Sequence, residues 1–113
     1  MKIAVPVNVK SMDSEVCTSF GCAPYFLIFD TDTKEAVFLD NATAAGTEGA
    51  GIKAAQGIVD NEVKVLLSPS LGRNSADVLK AAGIEIYRTQ AVPAKNSIAA
   101  FTAGDLPVLK AEK

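Results

Sequence analysis

Tyr25-Phe26-Leu27-Ile28-Phe29-Asp30-Thr31-Asp32-Thr33-Lys34-Glu35-Ala36-Val37-Phe38-Leu39 decides the fold. Tyr25 to Asp30 is rich in aromatic and β-branched side chains and reads as a strand. Phe26 and Ile28 fall on one face of it, Tyr25, Leu27 and Phe29 on the other. The aromatic rings here are read as core. Thr31 to Lys34 is turn chemistry, and Glu35 to Leu39 is a further strand, so the two close a hairpin.

Upstream, Lys2 to Val7 is a short β-branched run and reads as the first strand. Residues 8–24 show no periodicity and hold Asn8, Ser11, Asp13, Ser14, Gly21 and Pro24, so they form a loop. A connection of about seventeen residues is long, and such loops are often functional. Downstream, residues 40–48 are small and polar. A helix is predicted from Gly49 to Asp60, with Ile52, Ala55 and Val59 on its apolar face. Val63 to Leu67 is a continuous apolar run, the pattern of a strand covered on both faces. Ser68 to Asn74 is a loop, and Ser75 to Ala82 a helix with Asn74 at its N-cap and Gly83 past its end. Ile84 to Tyr87 is a fifth strand. Pro93 suits a first helical turn, Ala94, Ile98 and Phe101 share a face, and Gly104 ends that helix. The tail after Leu109 is expected to fray. The order β-β-β-α-β-α-β-α implies one α/β domain over residues 1–113, with a mixed five-stranded sheet and helices on both faces.

The whole-chain numbers agree. Hydrophobic residues make up 49% and charged residues 21%, the balance of a globular domain rather than a disordered chain. A net charge of −2 with scattered lysines and arginines gives no field for nucleic acid or an anionic membrane. The opening Met1 to Val7 is too short for a signal peptide, and no apolar run is long enough for a span, so a cytoplasmic location is expected. Two cysteines five positions apart make no disulfide framework and read as thiols or metal ligands. With no histidine, an imidazole general base is excluded.

The chemistry therefore rests on few residues. Cys17 and Cys22 lie in the long loop, and thiolates are the preferred protein ligands of iron–sulfur clusters. Two thiolates leave a tetrahedral site half-ligated, so other ligands must come from the cluster, a partner chain or a second copy. Burial as plain thiols is the alternative reading. Met12 is a candidate thioether ligand or an incidental contact, and Asp13 and Ser14 read as turn formers. Gly49 and Gly51 open a helix. Their N–H groups either cradle an anion, with Lys53 one turn in, or permit close packing. Residues 68–74 lead from strand to helix and form a second anion candidate, with Ser70 and Arg73 as its polar side chains.

Cys17-Thr18-Ser19-Phe20-Gly21-Cys22-Ala23-Pro24-Tyr25-Phe26 resembles the His-Phe-Gly-Arg-Ala-Pro-Tyr-Phe signature of the dinitrogenase iron-molybdenum cofactor biosynthesis family, of the NifX and NifB C-terminal domain type. Gly49 to Gln56, Leu67 to Ser75 and Ala82 to Tyr87 are similar to further motifs of that family, in the same order. Ser19 stands in the histidine slot and Cys22 in the arginine slot. The resemblance implies a ribonuclease H-like architecture and binding of an iron–sulfur or iron–molybdenum type cluster. It implies a non-enzymatic carrier that meets a cluster-assembly or acceptor protein, with dimerisation as one way to complete the ligand set. Ser19 is then expected to cap a turn or to donate to a cluster sulfide, and Phe20 to form an apolar wall beside the cluster. Two other readings stay open: a metal-free interaction or regulatory domain, and a thiol–disulfide enzyme using Cys17 and Cys22. A two-metal nuclease is not expected, because the first strand carries no carboxylate.

Overall fold

A computed structural model of the chain describes residues 1–21, 23–41 and 50–109. Its elements run β1 (Lys2–Val7), β2 (Tyr25–Asp30), β3 (Ala36–Asp40), α1 (Ala50–Asp60), β4 (Val65–Ser68), α2 (Arg73–Ala81), β5 (Glu85–Arg88) and α3 (Ala94–Thr102). The sheet order is β3-β2-β1-β4-β5. β1, β2 and β3 pair antiparallel in turn, while β4 pairs parallel with both β1 and β5. This is the mixed, ribonuclease H-like α/β sheet expected from the hairpin and the βαβ units.

Two apolar layers hold the helices to the sheet. On one face Ala54, Ala55 and Ile58 of α1 and Ala76 and Leu79 of α2 meet Ala4, Phe26, Ile28, Leu66 and Ile86. On the other, Ala94 and Ile98 of α3 meet Ile3, Val5, Val7, Leu27, Val65 and Leu67, with Phe101 packed at the margin. The alternation read along Tyr25 to Phe29 is the one found. All four residues of β4 are buried, as its unbroken apolar run requires.

The local differences have physical causes. The buried face of α1 is Ala54, Ala55 and Ile58 with Val59 packed at its margin, so Ala55 and Val59 lie as expected and Ile52, 44% exposed, does not. Small alanines let α1 settle close to the sheet, and that rotates Ile52 outward in the first turn. α2 starts earlier than expected: Gly72 is its N-cap, with no side-chain cap bond, and Asn74 lies inside the helix. Pro93 is the N-cap of α3 rather than a residue of its first turn. Gly83 and Gly104 both take positive φ (79° and 78°), the left-handed turn that closes a helix and favours glycine. No helix among the described residues is long and apolar enough to cross a membrane. Cys22, Gly49, most of the small polar stretch 40–48 and the tail 110–113 lie outside the described residues.

Candidate functional site

β1, β3, β4 and β5 all run in one direction, so their C-terminal ends share one edge of the sheet. The chain leaves β1 toward β2 on one side and leaves β4 toward β5 on the other. The strand order thus reverses between β1 and β4, the place where open α/β sheets leave a crevice for ligands.

Pro6 helps to open that crevice. It sits in the central strand and has no N–H to give to a ladder. The parallel pairing of β1 with β4 runs over Ile3 with Val65 and Ala4 with Leu66. Beyond Ala4, the β4 side of β1 is taken by the chain returning from its own loop. Val7 bridges Val16, and the Cys17 N–H donates to the Pro6 carbonyl at 2.8 Å. Cys17 is thereby fixed at the switch point. Its side chain is partly exposed and packs against the α1–α2 layer. Its Sγ lies 3.5 Å from the Ser19 carbonyl, within reach of a weak S–H donation.

The second anion candidate, residues 68–74, is tied to the long loop after β1. The Ser70 hydroxyl donates to the Thr18 carbonyl at 2.8 Å, and the buried Ser68 hydroxyl donates to the Ser70 carbonyl at 2.7 Å. Residues 52 apart in sequence are therefore one structure. The N-terminal turns of α1 and α2 lie side by side. A Cβ placed on Gly51 would stand 2.5 Å from the Ser75 Oγ, so the glycine is there for the close approach of two helices. Neither helix carries an acid in its first turn, and Lys53 and Arg73 are exposed beside them. Two positive dipole ends and two cations thus adjoin the Cys17 segment, an environment that favours an anion.

Phe20 is placed differently from the wall expected of it. Its ring is 4% exposed and packs on Phe26 with centroids 5.1 Å apart, in the core below the loop. Ser19 is exposed. Met12 packs into the α3 layer rather than standing free. Asp13 pairs with Lys95 at 2.6 Å. Ser14, read only as a turn former, is a buried knot: its hydroxyl accepts the Asn8 and Val9 N–H groups and donates to the Glu15 carbonyl. The signal for it was a serine in a loop too long to be left without internal bonds. α3 has a closed N-terminus, because the Ala94 and Lys95 N–H groups donate to the Ser14 and Met12 carbonyls. Among the described residues, no group of three or more Cys, Asp or Glu side chains stands close enough to hold a metal ion. Among the described residues, Cys17, backbone donors and charge are what a cluster here could lean on.

The comparisons with known proteins agree with this architecture. Residues 1–104 match the family described as dinitrogenase iron-molybdenum cofactor, and the chain belongs to it. The apo form of the orange protein from Desulfovibrio gigas superposes with a TM-score of 0.93 at 29% identity, over 99% of this chain and 95% of that one. A NifB-like protein from Thermotoga gives 0.87 at 33% identity, over 99% and 96%. A dinitrogenase-like protein from Methanocaldococcus jannaschii, at 23% identity and a TM-score of 0.75 over 99% and 97%, shares the fold. A search of the curated proteins returned no match.

Proposed function

We propose that this chain is a small non-enzymatic carrier of an anionic iron–sulfur or molybdenum–iron type cluster, bound at the β1–β4 switch point. The observation that carries this reading is the convergence there of Cys17, the Ser70–Thr18 tie, and the adjacent first turns of α1 and α2, neither of which holds an acid. Membership of the cofactor family supports it, as does the orange protein's having an apo form. Sulfide-bridged clusters carry net negative charge, and N–H donors and nearby cations stabilise that charge without a covalent bond. A thiolate from Cys17 adds one soft ligand.

Cys22, Gly49, Ser19, Ser70, Lys53 and Arg73 complete the proposed set, with Phe20 as the apolar floor beneath the loop. The cargo is handed to an assembly or acceptor protein that meets this edge. Anaerobic reconstitution with iron and sulfide, with and without molybdate, tests the reading by visible spectrum and metal content after desalting. Charge-transfer bands that persist through desalting and vanish in the Cys17→Ser/Cys22→Ser double variant are expected. A colourless chain under every condition would replace the carrier with a metal-free interaction domain.

A further inference from the structure

A second cleft lies at the same end of the sheet but beyond Cys17 and the α1–α2 layer, between the end of β5, α3 and residues 105–107. It encloses about 310 Å³, at the lower end of small-molecule sites. Its walls are held by backbone bonds rather than by chance contact. The Arg88 N–H donates to the Pro107 carbonyl at 2.7 Å, and the Leu109 N–H donates to the Ile86 carbonyl at 3.1 Å. Tyr87 and Val108 bridge in between, so residues 107–109 form a strap along the outer edge of β5. At the other end the Asp105 N–H donates to the Ala100 carbonyl at 2.9 Å, after the left-handed turn at Gly104. Thr89 and Ser97 also line it, and their buried hydroxyls are 2.6 Å apart.

The lining divides by chemistry. Leu106, Ala100 and Val92 give an apolar bed, and Arg88, Gln90, Asn96 and Asp105 give polar groups around it. Among the described residues, none of those four side chains is engaged in a hydrogen bond or ion pair with another. One guanidinium and one carboxylate therefore line the same small cleft without neutralising each other. A ligand matching both needs a carboxylate for Arg88, an ammonium for Asp105 and an aliphatic part for the bed.

We propose that this cleft binds a zwitterionic α-amino acid with an aliphatic side chain. Gln90 and Asn96 supply neutral donors and acceptors to the same carboxylate and ammonium. The site does not depend on the cluster, so it is present in the apo chain. It adjoins the clamp on the long loop: Val92 lines the cleft and accepts the Val16 N–H, and Lys95, next to Asn96, pairs with Asp13.

The test is an amide chemical-shift titration of the full chain with L-leucine, N-acetyl-L-leucine and L-leucinamide as probes. Saturable shifts with L-leucine at Arg88, Gln90, Asn96 and Leu106 are expected. Each blocked derivative should bind about tenfold more weakly, the loss of one hydrogen bond to a charged group. Arg88→Gln and Asp105→Asn should each weaken L-leucine about tenfold as well. Both residues are exposed, so the variants should stay folded, and unchanged shifts elsewhere in the spectrum verify that. No saturable shift at those amides would overturn the proposal. So would equal binding of the acetylated or amidated probe, because the cleft would then read only one charge.

Discussion

The long loop after β1 is two structures in one. Residues 8–16 are knotted: Ser14 holds Asn8, Val9 and Glu15, Val16 donates to Val92, and Met12 and Ser14 close the N-terminus of α3. Residues 17–21 are lightly held by comparison. Cys17 hangs from Pro6, Thr18 accepts from Ser70, and Phe20 is anchored in the core while Ser19 is exposed. On the proposed carrier reading, the difference separates frame from site. The Cys17 thiol has only a weak bond to the Ser19 carbonyl to give up, and the rigidity of the loop is supplied by its other half. The same contrast divides two helices, with α3 sealed by that loop and α2 lacking a side-chain cap at Gly72.

The strongest way to break the contrast is Ser14→Ala. It removes the acceptor of two part-buried backbone N–H bonds, a loss of about 0.5–1.5 kcal/mol for each. Urea unfolding should show that loss, and hydrogen exchange should quicken at Asn8 and Val9. An unchanged midpoint would mean that the knot is not what stiffens residues 8–16.

Ser70→Ala acts on the light half. Its bond to Thr18 is a single, partly exposed tie, worth about 0.5–1.5 kcal/mol. Exchange should rise at Ser19 and Phe20 and stay the same at Val9. A rise at both places would merge the two halves into one unit.

Gly51→Ala tests the abutting helix ends. Alanine gains up to about 1 kcal/mol in helix propensity over glycine, and the Ser75 Oγ must move to admit it. The two effects oppose, so thermal unfolding of the single variant should shift little. Adding Ser75→Ala removes the obstructing oxygen, and the pair should be more stable than Gly51→Ala alone. Equal stability of the two would show that Ser75 does not constrain the approach.

The smallest effect belongs to the opposite edge. The Asp32 N–H donates to the Asp30 carboxylate at 2.9 Å, and with the Thr33 N–H and the Met1 ammonium it holds that carboxyl below the ordinary aspartate value. A carboxyl lowered in the folded state stabilises above its unfolded pKa, and that contribution fades as pH falls through the folded value. Asp30→Asn should therefore flatten a slight acid-side loss of stability. An identical pH profile in the variant would show that the carboxylate carries none of that loss. Nothing at this edge should alter cluster retention.

Much of this was legible in the sequence because it depends on period and order. The two faces of Tyr25 to Phe29, the buried run of β4 and the turn glycines Gly83 and Gly104 follow from local rules. What escaped depends on meetings between distant segments. Ile52 looked like core by spacing, yet the alanines beside it set the depth of α1. Asn74 had the chemistry of a cap, but the helix begins at Arg73, before it. Phe20 was expected as a wall beside the cluster because it lies in a loop, and only Phe26 beneath it shows that its ring belongs to the core. Cys17 and Ser70 were both singled out, but the bond that joins their loops spans 52 residues and leaves no mark in either motif. The cleft under Arg88 was not read at all, since its four polar residues come from the end of a strand, a loop, a helix and the turn before the strap.

The central claim is that the open half of the long loop and the ends of α1 and α2 hold one anionic cluster. It is tested most directly by comparing amide spectra of the apo chain with the chain reconstituted under anaerobic conditions with iron, sulfide and molybdate. Shifts and broadening confined to residues 17–21, 51–53 and 70–75, with residues 8–16 unchanged, are the predicted result. Perturbation centred on any other edge of the sheet, or spread along residues 8–16, would contradict the account.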